Sequence, residues 1–437
     1  MNRAGGETGL TLSFDRSTVS HWLSGTRPRG ATPQLIAEAL SRRLDRPVSL
    51  AEAGLSPAPA QARSVVGPPG AMSDEDIGET LRRLAGPPLG GKAPTPRDRF
   101  AYQVTSLDVP GLDFSVLSRP VARRRPERGP TRGRAVDRFE VDVTVAVAEI
   151  FHRSDAAFGG GHGRRALAGY IAAELGPKLR RPATPELRRR LLSVVGQLIC
   201  LCAFMHFDDN LHATAQHYYL TALRLAAENN APLEYAFALC GLSVQADALG
   251  HRRKALALAE TAAATFCAHP VHGAFLHGQL AVAHARNHSR HEAFQALAEA
   301  EHLLSRATSL VDTVVGRYHQ ASLLRQEAVV REAFDDRAGA LKALESSLRQ
   351  RPPEERRSHA LTLAEIGRLQ AQTGHLSEAL RTWHRFVNAC PALTAGRIDA
   401  ALTDVRGQLR SYSHNIHART LLQRIAHLTS QSGPGPA

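Results

Sequence analysis

Three histidines, His284, His288 and His291, fall at i, i+4 and i+7 in the run HGAFLHGQLAVAHARNHSRH. That spacing can turn imidazoles toward a metal ion on one helix face. No cysteine stands near them, and a repeat register described below gives each another place, so no metal site is expected. The loop FGGGHGRRAL (Phe158–Leu167) has the glycine content of a phosphate cradle. It lacks the GK[ST] ending and follows a helical pattern instead of a strand, so it reads as a flexible turn between two helices. Cys200 and Cys202 stand two apart on a predicted helix, face different ways and read as buried thiols. Five cysteines with no CxxC spacing exclude a disulfide framework and a thiolate zinc site. No nucleophile elbow or acid–base signature is present. Neither an enzyme nor a bound cofactor is expected.

The chemistry that remains is that of charge. The chain of 437 residues carries a net charge of +13, with lysine and arginine at 54 against 41 acidic residues. Arginine supplies nearly all of the excess, and its guanidinium fork matches phosphate oxygens while staying charged. The same balance also arises from genomic bias, since Ala, Arg and Gly are all abundant. The length allows two or three domains with substantial cores. No uninterrupted apolar run approaches the ~18–20 residues of a membrane span, and MNRAGGETGLTLSF is no signal sequence. A cytoplasmic protein without a membrane partner is expected.

The elements that would position these charges are helical. Asp15 can cap a helix running to about Ser24, with Val19, Trp22 and Leu23 on an inner face and Gly25 as the stop. A second helix starts at Thr32 with Pro33 in its first turn, and Ile36, Leu40 and Leu44 form its apolar face. Ser49 can cap a short third one. Residues 56–134 read as a Pro/Gly/Arg-rich linker around one short helix, Asp74–Leu84. Its end, Arg119–Arg134, carries seven arginines against one glutamate. Prolines and glycines there prevent a helix, so it is expected to be disordered, as a solvated tether or an arm on a phosphate backbone.

Residues 135–430 contain an internal repeat. Ala215, Ala255, Ala293, Ala340 and Ala379 each follow a turn at the start of a helix, at separations of 40, 38, 47 and 39 residues. Four residues after each stands Tyr219, Ala259, Leu297, Leu344 or Trp383. Twelve residues before each stands a small residue: Ala203, Ser243, Ala281, Ala328 or Gly367. Small residues at both places let antiparallel helices approach closely. In this register His277 and His284 occupy packing positions, and His288 and His291 fall in a turn and at a helix start.

Two segments resemble a known family. FDRSTVSHWLSGTRPRG (Phe14–Gly30), continuing through LIAEALSRRLDRPVSLAEAGL, and FHRSDAAFGGGHGRRALAGYIAAEL are similar to parts of actinobacterial regulators. Those proteins have an XRE-type (lambda-repressor-like) helix-turn-helix and a C-terminal TPR region. The resemblance implies an all-α protein. Residues 1–55 would be a truncated helix-turn-helix DNA-binding domain, joined by the disordered linker 56–134 to a TPR-like α-solenoid over 135–430. It implies a transcriptional regulator, with some members similar to regulators of sporulation and antibiotic production. Carried over by position, it places Arg16, Ser17 and His21 against base edges of double-stranded DNA. Thr18 and Ser20 would border the phosphates, with Arg27 and Arg29 on the backbone.

The first helix of each repeat pair would line a concave face for a peptide, protein or small-molecule signal, with His206, Gln245, Arg317 and Arg368 as polar candidates. A homodimer is left open. The alternative is a TPR interaction scaffold that no longer binds DNA. Thirteen residues cannot form the two helices that precede a recognition helix of this type. Met1 stands where the resembling family has a valine, as a GTG codon would give, so the natural start is expected upstream.

Overall fold

The computed structural model describes residues 1–7, 12–44, 46–55, 76–86, 101–109, 111–112, 134–265, 269–307 and 318–431. Among these there are helices and turns and no strand. The chain divides into two compact units, Met1–Ala148 with Arg164–Phe266, and Glu149–Gly163 with Cys267–Ala437. The division falls inside the stretch read as one repeat domain.

The first unit opens with α1 (Asn2–Glu7), α2 (Arg16–Leu23), α3 (Thr32–Leu44) and α4 (Ile77–Ala85). Asp15 caps α2 as expected, and Gly25 takes a φ of 109° just after it. The backbone around Ser49 makes only a single turn, with Glu52 N–H donating to Ser49 Oγ at 3.1 Å. The 56–134 stretch is not linker throughout. Ile77, Leu81 and Leu84 of α4 are buried, and so are Ala101, Tyr102 and Leu107. Gln103 and Gln216 exchange two hydrogen bonds, N–H to Oε1 at 2.8 Å and Nε2 to the carbonyl at 2.6 Å. The arginine run, apart from Arg134, lies outside the described residues.

Next come α5 (Arg138–Phe158) and α6 (Gly160–Tyr170), the latter running through a π turn, Ile171–Leu175, into α7 (Gly176–Arg180). The glycine-rich loop is therefore a one-residue turn at Gly159. It is held, not free: Thr394 N–H donates to Phe158 O at 2.7 Å, and Gly161 N–H to Thr394 O at 2.9 Å.

The repeat is realised as helix pairs. The first unit holds α8 (Pro185–Asp208) with α9 (His212–Glu228), and α10 (Pro232–Ala248) with α11 (Arg252–Ala263). The second holds α12 (Pro270–Arg286) with α13 (Arg290–Ser305), α14 (Gln320–Ala333) with α15 (Arg337–Gln350), and α16 (Arg356–Gln372) with α17 (Leu376–Ala389). A further pair, α18 (Gly396–Arg410) and α19 (Ile416–Gln431), packs on α16 and α17. All five repeat alanines are buried. Ser243 Oγ donates to Ala255 O at 2.8 Å, which is direct contact between the two small positions twelve apart.

The turns inside the five pairs share one geometry. Asn210, Gly250, His288, Asp335 and Gly374, each five residues before its alanine, all have positive φ. The next residue's N–H then returns to a carbonyl five back: Leu211 to His206, His251 to Ala246, Ser289 to His284, Asp336 to Arg331 and His375 to Gln370, at 2.8–3.0 Å. This left-handed helix stop satisfies end carbonyls that would otherwise be orphaned. It also explains His288 as a turn residue, since histidine tolerates positive φ better than most.

α8 is long and apolar enough by length and composition to cross a membrane, which the sequence reading did not anticipate. Most of it is buried against α9 and α10, as a core helix. Cys200, Cys202, Cys240 and Cys390 are free and buried.

Candidate functional site

The Asp15 carboxylate fixes the start of α2. Its Oδ1 accepts from Thr18 N–H at 2.8 Å, Thr18 Oγ1 at 2.7 Å and Ser17 Oγ at 2.8 Å. These bonds, the Thr18 backbone one first, hold the Asp15 carboxyl at about 2, against its usual 3.8. The hydroxyls of Ser17 and Thr18, read as DNA contacts, are thus spent on the helix cap.

Arg16, Ser20 and His21 are exposed on α2, and Arg27 and Arg29 are exposed in the turn after it. Among the described residues none of these five side chains makes an ion pair or side-chain hydrogen bond. Asn2 holds the lead-in to α2 from both sides, Nδ2 donating to Phe14 O and Oδ1 accepting from Phe14 N–H, each at 3.0 Å. The Phe14 ring meets Trp22 edge-on with centroids 5.0 Å apart.

The expected core of this unit needs correction. No residue of α2 is buried; Val19 and Trp22 are partly covered and Leu23 is 85% exposed. On α3 the buried residues are Leu35, Ala37, Glu38 and Ser41, while Leu40 and Leu44 are exposed. Leu35 packs with Ala4 and Ala101. What draws this other face inward is charge. Arg42 reaches Glu7 of α1 with Nη2 at 2.5 Å and Nη1 at 3.2 Å, Glu38 with Nε at 2.6 Å and Tyr102 O at 3.3 Å. Glu38 also accepts from Val104 N–H at 2.9 Å. Glu7 in turn bonds His251 Nε2 at 3.1 Å, and Tyr102 stacks on that imidazole at 5.8 Å. These residues tie α1 and α3 to the start of α11. Sequence reading missed them; its one local signal was the Glu38–Arg42 spacing of four on a helix.

The partner-facing candidates fare unequally. His206 is buried, its Nδ1–H donating to Cys202 O at 2.7 Å with its ring on Tyr218. Burial lowers it to about 4, so it is neutral at physiological pH. Gln245 is fully buried and donates from Nε2 to His212 O at 2.8 Å. Both belong to the core of the first unit and present nothing to a partner. Arg368 is partly exposed, and both its terminal nitrogens bond Glu332 at 2.7 Å, linking α16 to α14. A ladder of such pairs joins these two helices, with His319 on Glu355 at 2.8 Å and Arg325 on Glu365. Arg317 lies outside the described residues.

Residues 1–56 match the family described as the SP15 N-terminal domain. Comparison with the curated proteins finds no match. The matched segment contains α1, α2, α3 and the exposed residues Arg16, Ser20, His21, Arg27 and Arg29.

Proposed function

We propose that the protein is a cytoplasmic DNA-binding transcriptional regulator of the helix-turn-helix plus TPR kind, with α2 as its recognition helix. The observation that carries this reading is the set Arg16, Ser20, His21, Arg27 and Arg29. All five are exposed on one capped helix and the turn after it, with no side-chain partner among the described residues. Arginines left free at a helix and the loop beyond it suit base edges and backbone phosphates respectively. Ser17 and Thr18 serve by fixing the helix start. The helix pairs serve as the receiver for a peptide, protein or small-molecule signal. On this reading the protein is not an enzyme and needs no cofactor.

The test is affinity for duplex DNA over a range of salt concentrations. A regulator loses affinity steeply as salt rises and keeps a sequence preference above the nonspecific level. A folded protein that binds no duplex at low salt would leave the interaction-scaffold reading in its place.

A further inference from the structure

A second charged feature lies in the first unit, apart from α2. Arg3, Arg42, Val104, Thr105, His251 and Lys254 line a cleft of about 240 Å³ where α1 and α3 meet the N-terminus of α11. Four of the six carry basic side chains. No side chain caps α11, so the positive end of its dipole adds to the cleft. We propose that this cleft binds a small phosphate-bearing anion.

Each cation of the cleft is met by a carboxylate, so an anion enters by displacing the most exposed of them. Glu7 is turned inward and committed to Arg42, His251 and Arg3. Glu38 is buried under Arg42. Lys254 is paired with Asp108, whose side chain is 61% exposed and free to swing into water when an anion takes its place. Arg3 is 65% exposed; it touches Glu7 at 3.3 Å and Leu249 O at 3.3 Å, and can turn its guanidinium to a bound group. The volume is below the ~300–1,000 Å³ of drug-sized pockets, so it suits a phosphate or diphosphate group more than a large apolar body. The Arg3 guanidinium, the Lys254 ammonium and the N-terminus of α11 are together donors of the kind that phosphate oxygens use. The cleft touches both α3 and α11, so an occupant would bear on how residues 1–44 sit on the helix pair. The site stands whether or not α2 binds DNA.

The experiment is calorimetric titration of the full chain with inorganic pyrophosphate at constant ionic strength, without DNA. Saturable one-site binding is expected. The double variant Arg3→Ala/Lys254→Ala should weaken it at least tenfold, with the circular dichroism spectrum unchanged. The double variant Arg27→Ala/Arg29→Ala, which removes two charges elsewhere in the same unit, should leave it intact. No saturable binding by the wild type, or equal weakening in both double variants, overturns the proposal.

Discussion

The carboxylate of Glu7 accepts both terminal nitrogens of Arg42, at 2.5 and 3.2 Å, across 35 residues of sequence. This pair brings α1 against α3, and His251 on the same carboxylate extends the contact to the residue just before α11.

Acid should loosen that junction. Burial alone would raise the Glu7 carboxyl, but the hydrogen bonds from His251 and Arg42 outweigh it and hold it at about 2, against its usual 4.5. A depressed folded pKa contributes stability that is full above 4.5 and is lost as pH falls from there toward 2. Glu38 opposes this, because burial pushes its carboxyl up. Comparing wild type with Glu7→Gln isolates the Glu7 share. Hydrogen-exchange protection of residues 1–7, corrected for intrinsic rate, should fall in the wild type between pH 4.5 and 2. In Glu7→Gln it should be lower at pH 7 and nearly flat.

Arg16 and Arg27 should separate on DNA. Arg16→Ala is expected to cost about 1–3 kcal/mol at the preferred site and to relax preference at one base pair. Arg27→Ala should weaken binding to all sequences and flatten the salt slope by about one unit. Competition binding against specific and random duplexes checks both; identical behaviour of the two variants would count against α2 as a reader of bases.

Gly367 is one position of the repeat with no room for a side chain. A Cβ there would lie 2.4 Å from Trp383 Nε1, and Trp383 is fully buried. Gly367→Ala should destabilise by about 1–3 kcal/mol through overpacking, despite the better helix propensity of alanine. Denaturant unfolding followed by tryptophan fluorescence measures it. A stabilised variant would mean that the α16–α17 contact is looser than described.

His288 has the opposite sign. Its φ of 63° costs a non-glycine residue about 1–2 kcal/mol, partly regained because glycine is freer in the unfolded chain. His288→Gly should be neutral to stabilising by up to about 1 kcal/mol, while His288→Val should destabilise. A strong loss in the glycine variant would show that the imidazole has a role beyond the turn.

The helix pairs were legible from residue spacing because their signals are local. A residue able to take positive φ, then an alanine five on and a small residue twelve back, specify a left-handed stop and a close antiparallel return within thirty residues. Asp15 and Gly25 marked the ends of α2 for the same reason. The burial of His206 and Gln245 was not legible, since a polar residue on the first helix of a pair reads alike whether it meets solvent or a neighbouring helix.

The residues of α3 specify a helix from Thr32 with an apolar face through Ile36, Leu40 and Leu44, yet the face that packs inward runs through Leu35, Glu38 and Arg42. Contacts with distant segments choose that face. Hydropathy favours the first face, but Glu7, Val104 N–H and Tyr102 O supply partners for Glu38 and Arg42 from 35 or more residues away in sequence. A charged side chain is buried when its counter-charge is already in place. That condition depends on where distant segments of the chain meet, so the helix that carries the charge cannot disclose it.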